Sequence, residues 1–238
     1  MDVASITRIA GLIGEAGRIQ MLTALLDGNA HSASELAMAA SVSPQTASSH
    51  LSKLLSGGLI VSARSGRQRL FLLKNPEVAA AIEALGALAP ASANSAMPEI
   101  RFARTCYDHL AGVLAIAVRN ELLRKAALRH GKGTFLVTRS GSELLRNLKI
   151  DADELRGLRR SFARKCLDWT ERQPHIGGAI GAALLSRFTE MKWVAPIRGS
   201  RAVRLTQAGE RGFEQNFGIR CANLRTYSAT VARQTVPR

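Results

Sequence analysis

Three cysteines in 238 residues are too few, and odd in number, for a disulfide framework, so reduced thiols are expected. Long hydrophobic runs are missing as well. The longest, 110–118, falls far short of the roughly 20 residues that span a bilayer, and no association with a membrane is expected. No basic stretch followed by an apolar one opens the chain, which points to a cytoplasmic protein. The nucleophile elbow, the phosphate-cradling glycine loop and the His-Glu-x-x-His helix are all absent, so catalysis is not expected. Acidic residues are scarce, 18 against 33 Lys and Arg, a net charge of +15. Only +1 of this lies in the first 90 residues and +14 beyond them. Such an excess suits nucleic acid or an anionic effector, or forms a solvated arginine surface.

The most informative stretch runs from Ser43 to Arg69. Ser43 followed by Pro44 predicts an N-cap and a first helical residue, where the missing proline N–H costs nothing. Ala47, Leu51, Leu54 and Leu55 then fall on one stripe, leaving Gln45, Thr46, Ser48, Ser49, His50 and Lys53 on the other faces. Short hydroxyl and amide side chains on a helix suit the donors and acceptors of a DNA major groove. Upstream, Ser32 and Glu35 form a capping box for a helix over Leu36 to about Ala40. Two short helices separated by three residues read as helix-turn-helix. After Gly57 and Gly58, two apolar runs, 59–61 and 70–73, flank a turn carrying Arg64, Arg67 and Arg69. This predicts a hairpin wing whose arginines meet phosphates or a narrow minor groove. Asn75 then caps a helix to about Leu88.

These residues, Ser43 to Leu51 with Gly57-Gly58-Leu59-Ile60 and the wing, resemble the ArsR-type winged-helix transcriptional regulators over roughly residues 5–90. The stretch 14–22 is similar to that family's second helix, with Ile19, Leu22, Leu25 and Leu26 on its core face. The resemblance implies a homodimeric repressor in which Ser43, Gln45, Ser48, Ser49 and His50 approach bases or phosphates of double-stranded DNA. Ser49 stands where the family commonly has arginine or glutamine. The metal ligands of the family's sensing branch are missing: the stretch 31–35 has no thiol, and the helix after the wing has no histidine.

The small, uncharged, proline-bounded stretch 86–98 marks a linker. The organisation expected is a DNA-binding and dimerisation domain over 1–88, a linker over 89–99 and an effector domain over 100–238. Beyond the linker, Phe102, Cys106, Leu110 and Val113 at helical spacing predict an amphipathic helix over about 101–129. The chain then repeats a pattern, within 101–150 and 161–219: Cys-x-Asp, a His-(Leu/Ile)-(Ala/Gly)-Gly run, an apolar helix, and a strand ending Thr-x-(Ser/Ala)-Gly. In the second copy a helix is expected over 176–191, then a hairpin of 193–195 with 202–205 around a basic tip.

Cys106, His109, Cys166, Asp168 and His175 are the candidate ligands for a soft ion: zinc, cadmium, lead or trivalent arsenic. Apolar packing of the two cysteines, or a redox pair, are the alternatives, and each aspartate serves equally as a structural corner accepting backbone N–H bonds. An organic effector would instead find polar edges in Tyr107, Trp169 and Glu171. The fold class expected is mainly α with small β-hairpins (α+β). The function expected is a ligand-released repressor. The alternative is a DNA-architectural protein driven by the basic second half.

Overall fold

The computed structural model describes residues 2–66, 68–88 and 98–224. Helices dominate, with small antiparallel strand pairs between them. The chain divides into two compact units, Met1–Ile82 and Glu83–Arg238. Residues 89–97 of the expected linker lie outside the described residues, and Pro98 and Glu99 open a short helix. No single helix among the described residues is long and apolar enough to cross a membrane.

Unit 1 starts with α1 (Val3–Ile13), which buries none of its residues, and α2 (Ala16–Ala24), whose first turn is capped by the Glu15 carboxylate. Met21 and Leu22 are buried there while Ile19 is half-buried. A single 3-10 turn, Leu25–Asp27, leads to β1 (His31–Ser32) and α3 (Ala33–Ala39), which opens with the reciprocal Ser32–Glu35 capping box. Helix α4 (Pro44–Ser56) follows, then β2 (Ile60–Ser65) and β3 (Gln68–Leu73). The three strands form an antiparallel sheet in the order β1-β3-β2. Met21, Leu22, Leu25, Leu36, Leu51, Leu54, Ile60 and Phe71 are buried in the unit. Asn75 caps α5 (Pro76–Leu88) by accepting from the Val78 N–H at 3.0 Å, and the division between the units falls within this helix.

Unit 2 differs from the expectation at its start. The helix expected over 101–129 is four elements: α6 (Pro98–Phe102), the hairpin β4 (Arg104–Cys106) with β5 (His109–Ala111), α7 (Val113–Arg124) and β6 (Leu128–His130). Two backbone positions forbid one helix. Tyr107 has φ +62° in the hairpin turn, and Gly112 has φ +88°, where a Cβ would lie 2.6 Å from the Arg101 carbonyl oxygen. The apolar residues that matched a helical stripe match strand alternation as well, and the turn chemistry decides between them.

Strand β6 pairs with β7 (Phe135–Val137), followed by α8 (Arg139–Asn147) and α9 (Ala152–Arg156). Next come β8 (Arg164–Leu167), β9 (Pro174–Gly177) and α10 (Gly178–Glu190). This last helix starts two residues later than expected because Ile176 and Gly177 pair with β8. Trp193 precedes β10 (Val194–Pro196), which pairs with β11 (Val203–Leu205) before α11 (Gln207–Phe217). After α6, unit 2 thus runs hairpin, helix, hairpin, two helices, then hairpin, helix, hairpin, helix. Gly112 and Gly178 both take positive φ, and Thr138 and Thr206 both cap a helix by accepting from a glycine N–H three residues on. An aromatic cluster of Phe188, Trp193, Phe213 and Phe217 anchors the core.

Candidate DNA-reading surface and candidate metal centre

Helix α4 begins where its sequence demands. The Ser43 hydroxyl accepts from the Thr46 N–H at 3.2 Å, and Pro44 occupies the first turn. Ala47, Leu51 and Leu54 are buried, so Gln45, Thr46, Ser48, Ser49 and Lys53 stand in solvent, as does Ser43. His50 is the exception. Its Nε2 lies 3.3 Å from the Glu15 carboxylate that caps α2, and its side chain is 12% exposed. The ring therefore serves the packing of α4 on α2, not the outer face. In the wing, Arg64 and Arg69 face each other across the β2–β3 ladder and both are exposed. Arg69 donates from Nε to the Ser62 hydroxyl at 3.0 Å and lies over the Phe71 ring at 5.3 Å. Arg67 lies outside the described residues. An exposed row of short hydrogen-bonding side chains beside a basic hairpin is chemically suited to base edges and phosphates.

In unit 2 the two Cys-x-Asp stretches lie in hairpins. The turn at Tyr107 and Asp108 sets Cys106 opposite His109, and the longer connection 168–173 sets Cys166 opposite His175. One Sγ or ring nitrogen from each of the four side chains comes together, all within 4.8 Å of one another. The sulfurs are 3.8 Å apart and the imidazole centroids 5.1 Å apart. None of the four residues is more than 3% exposed. The Nδ1 of His109 sits 3.1 Å from Asp108, itself 2.7 Å from Arg160, and the Nδ1 of His175 sits 3.5 Å from Asp168. Both Nε2 atoms, and the Nδ1 of His175 as well, are buried with no hydrogen-bond partner among the described residues, an arrangement that costs free energy unless something else meets them. Hydrogen bonding to Cys166 and burial push the Cys106 thiol up to about 12.

Asp168 does not join the four; it stands behind His175. Its carboxylate accepts from the backbone N–H of Gly112 at 2.7 Å, of Thr170 at 3.0 Å and of Glu171 at 3.1 Å, and from the Thr170 hydroxyl at 2.6 Å. Burial alone would raise its pKa, but the Arg104 guanidinium at 3.1 Å outweighs it and holds the carboxyl well below the usual carboxylate range. Arg104 is wholly buried, 3.3 Å from Glu83 of α5 and stacked over Trp169 at 5.1 Å. Glu83 is also paired with Arg201 at 2.7 Å. The organic-effector residues are committed elsewhere: Trp169 lies under Arg104, Glu171 pairs with Arg101 at 2.8 Å, and Tyr107 forms the hairpin turn. They line neither the small apolar cavity between Leu110, Val118, Ile176 and Phe188 nor the open groove beside Asn120, Gly218 and Asn223.

Sequence reasoning missed Arg104, Arg201 and Glu83. The one available signal was Glu83, a charged residue alone within the apolar run from Val78 to Leu88.

Fold and surface together define a DNA-binding protein of the winged helix-turn-helix class. A family model described as a helix-turn-helix domain matches residues 18–63. The uncharacterized HTH-type transcriptional regulator YdfF of Bacillus subtilis (strain 168) is 40% identical over 222 residues, covering 91% of this chain and 98% of that protein. The chain belongs to the HTH-type transcriptional regulators. Among solved structures, HlyU from Vibrio cholerae N16961 is 30% identical and covers 37% of this chain and 97% of that one, with a TM-score of 0.34. The winged helix-turn-helix domain of a possible ArsR-family regulator from Mycobacterium bovis is 25% identical and covers 35% and 76%, with a TM-score of 0.33.

Proposed function

We propose that the chain is a sequence-specific repressor, acting as a homodimer, that leaves its operator when a soft metal ion binds in unit 2. The effector domain in this reading is residues 100–238, which lie within unit 2. The observation that carries the DNA half is the exposed row Gln45, Thr46, Ser48, Ser49 and Lys53 on α4 beside exposed Arg64 and Arg69. The face of α1, with Val3 and Ile6 exposed and nothing buried, supports a dimer. Two recognition helices then read half-sites about one helical turn apart. An ion acts as effector only by binding the two states unequally, and the buried Cys/His cluster is the feature of unit 2 that suits one.

The architectural alternative draws on the +14 of the second half, but Arg101, Arg104 and Arg119 are buried and do not face a duplex. Competition between the chain's own promoter fragment and random duplex, with and without zinc, tests the proposal. The expected result is a preference of at least about a thousandfold for the promoter at fixed salt, reduced by zinc. Equal competition by random DNA ends the repressor reading.

A further inference from the structure

We infer that Cys106, His109, Cys166 and His175 form a closed tetrahedral site for one divalent ion of the zinc class, two ligands from each hairpin, with Asp108 and Asp168 as the outer supports of the histidines. This rests on the reading that unit 2 holds a soft ion, and it narrows that reading to a donor set, a charge and a geometry.

The spacing is the first argument. Two thiolate sulfurs about 2.3 Å from a common ion, at the tetrahedral angle, stand about 3.8 Å apart, and the two sulfurs here are 3.8 Å apart. The remaining donors fall within the same 4.8 Å. The histidines supply the second argument. His109 presents Nδ1 to Asp108 at 3.1 Å and leaves Nε2 buried and unpartnered, while both ring nitrogens of His175 are buried without a hydrogen-bond partner among the described residues, its Nδ1 3.5 Å from the Asp168 carboxylate. A carboxylate on one ring nitrogen fixes the tautomer that offers the other to a metal, the usual outer shell of a zinc-bound imidazole. This gives the repeated Cys-x-Asp a single meaning. The cysteine is a ligand, and the aspartate two residues on stands beside the histidine paired across the hairpin, hydrogen-bonded to it in the first copy and 3.5 Å from it in the second.

Charge is the third argument. A dication with two thiolates is neutral, which suits a pocket almost wholly sealed from water. A monovalent ion would leave a buried net charge. Magnesium and calcium want oxygen donors, and the donors here are sulfur and nitrogen. Trivalent arsenic favours three sulfurs, and the pocket has two. Binding is a ligand exchange without redox change: the hydrated ion sheds water, each thiol releases its proton to solvent, and two metal–sulfur and two metal–nitrogen bonds form. With four protein ligands the site has no open position for water, so the ion clamps hairpin to hairpin. Cys106, Ala111 and Cys166 are a small apolar cluster of their own, leaving the clamp a large share of the stability there.

The probe is cobalt(II), titrated into the full chain after chelator treatment under reducing conditions. One equivalent is expected to bind, giving the visible bands of tetrahedral cobalt and a near-ultraviolet thiolate-to-metal band, both erased by zinc. Cys106→Ser and His175→Gln are expected to lose that spectrum, whereas Cys221→Ser keeps it. Asp168→Asn is expected to keep the spectrum with affinity about 10–100-fold weaker. Absence of uptake, octahedral bands, or an unchanged spectrum in Cys106→Ser overturns the site. Because the ligand variants are at risk of misfolding, thermal unfolding of the wild-type chain with and without zinc is a second measurement, and an unmoved midpoint also overturns it. Stoichiometric tetrahedral uptake with unchanged operator affinity would end the effector reading and leave the site standing.

Discussion

Helix α4 of unit 1 holds Gln45, Thr46, Ser48, Ser49 and Lys53 in solvent, while the hairpins of unit 2 hold Arg104, Cys106, His109, Cys166 and His175 almost wholly out of it. The difference follows the size of what each unit is suited to meet. A duplex is larger than the unit that reads it, so its contacts must project, and they fold without cost because water satisfies them until DNA arrives. An ion is smaller than a side chain, so its ligands converge. Convergence without water requires partners for every neighbouring charge, and Asp168, Arg104, Glu83 and Arg201 supply them to one another.

The sharpest way to break this comparison is to remove one buried partner. Arg104→Met leaves the Asp168 and Glu83 carboxylates buried without their shared cation, and about 3–5 kcal/mol of stability is expected to be lost. Both tryptophans, Trp169 and Trp193, lie in unit 2, so urea unfolding followed by their fluorescence reports on that unit. A loss below about 1 kcal/mol would mean that the cluster is no more than a surface-like pair.

Two neighbours on α4 sharpen the comparison within unit 1. Gln45→Ala is expected to cost about 1–3 kcal/mol of operator binding with altered base preference, and Arg64→Ala to weaken all duplexes alike and lower the salt slope by about 1. His50→Ala is expected to leave base preference intact and to lower stability by about 1 kcal/mol, because its nearly buried ring packs beside Glu15 at the start of α2. Binding to a set of base-substituted operators, beside chemical unfolding, separates the two residues. An altered base preference in His50→Ala would return that ring to the outer face.

The smallest expected effect concerns Asp27 and His31, 2.8 Å apart in unit 1. Burial opposes ionisation of Asp27, but the His31 hydrogen bond outweighs it and lowers the carboxyl from 3.8, while Asp27, against burial and helped by Glu35, raises His31 from 6.5. The aspartate's contribution is present above its ordinary value and lost as pH falls through the lowered one. The histidine's is present below its ordinary value and lost as pH rises through the raised one. Asp27→Asn is therefore expected to lower stability at about pH 5 by under about 1 kcal/mol, and to remove no ion-pair contribution once His31 is neutral. Unfolding midpoints across pH would show it, and a loss equal at pH 5 and pH 9 would not fit.

Legibility differed between the units for physical reasons. In unit 1 each element carries its own local signal: Ser32 and Glu35 close a capping box, and Ser43 and Pro44 start α4. The wing follows Gly57 and Gly58, and the exposed face of α4 follows from where its leucines fall. His50 escaped because its partner Glu15 is far away in sequence. In unit 2, Phe102, Cys106 and Leu110 satisfy helical spacing and strand alternation alike. The turn that decides carries Tyr107 at positive φ, a residue that announces no turn.

The sequence by itself determined the helix-turn-helix, the wing and the identity of the four Cys and His candidates, because caps, turns and residue chemistry act over a few positions. The tertiary structure decided that these four meet at one point, that Asp168 stands behind His175, and that Arg104 and Glu83 support it. Those meetings join residues up to 85 positions apart, from Glu83 to Asp168, through the packing of separate hairpins and a helix. No local pattern encodes such a distance.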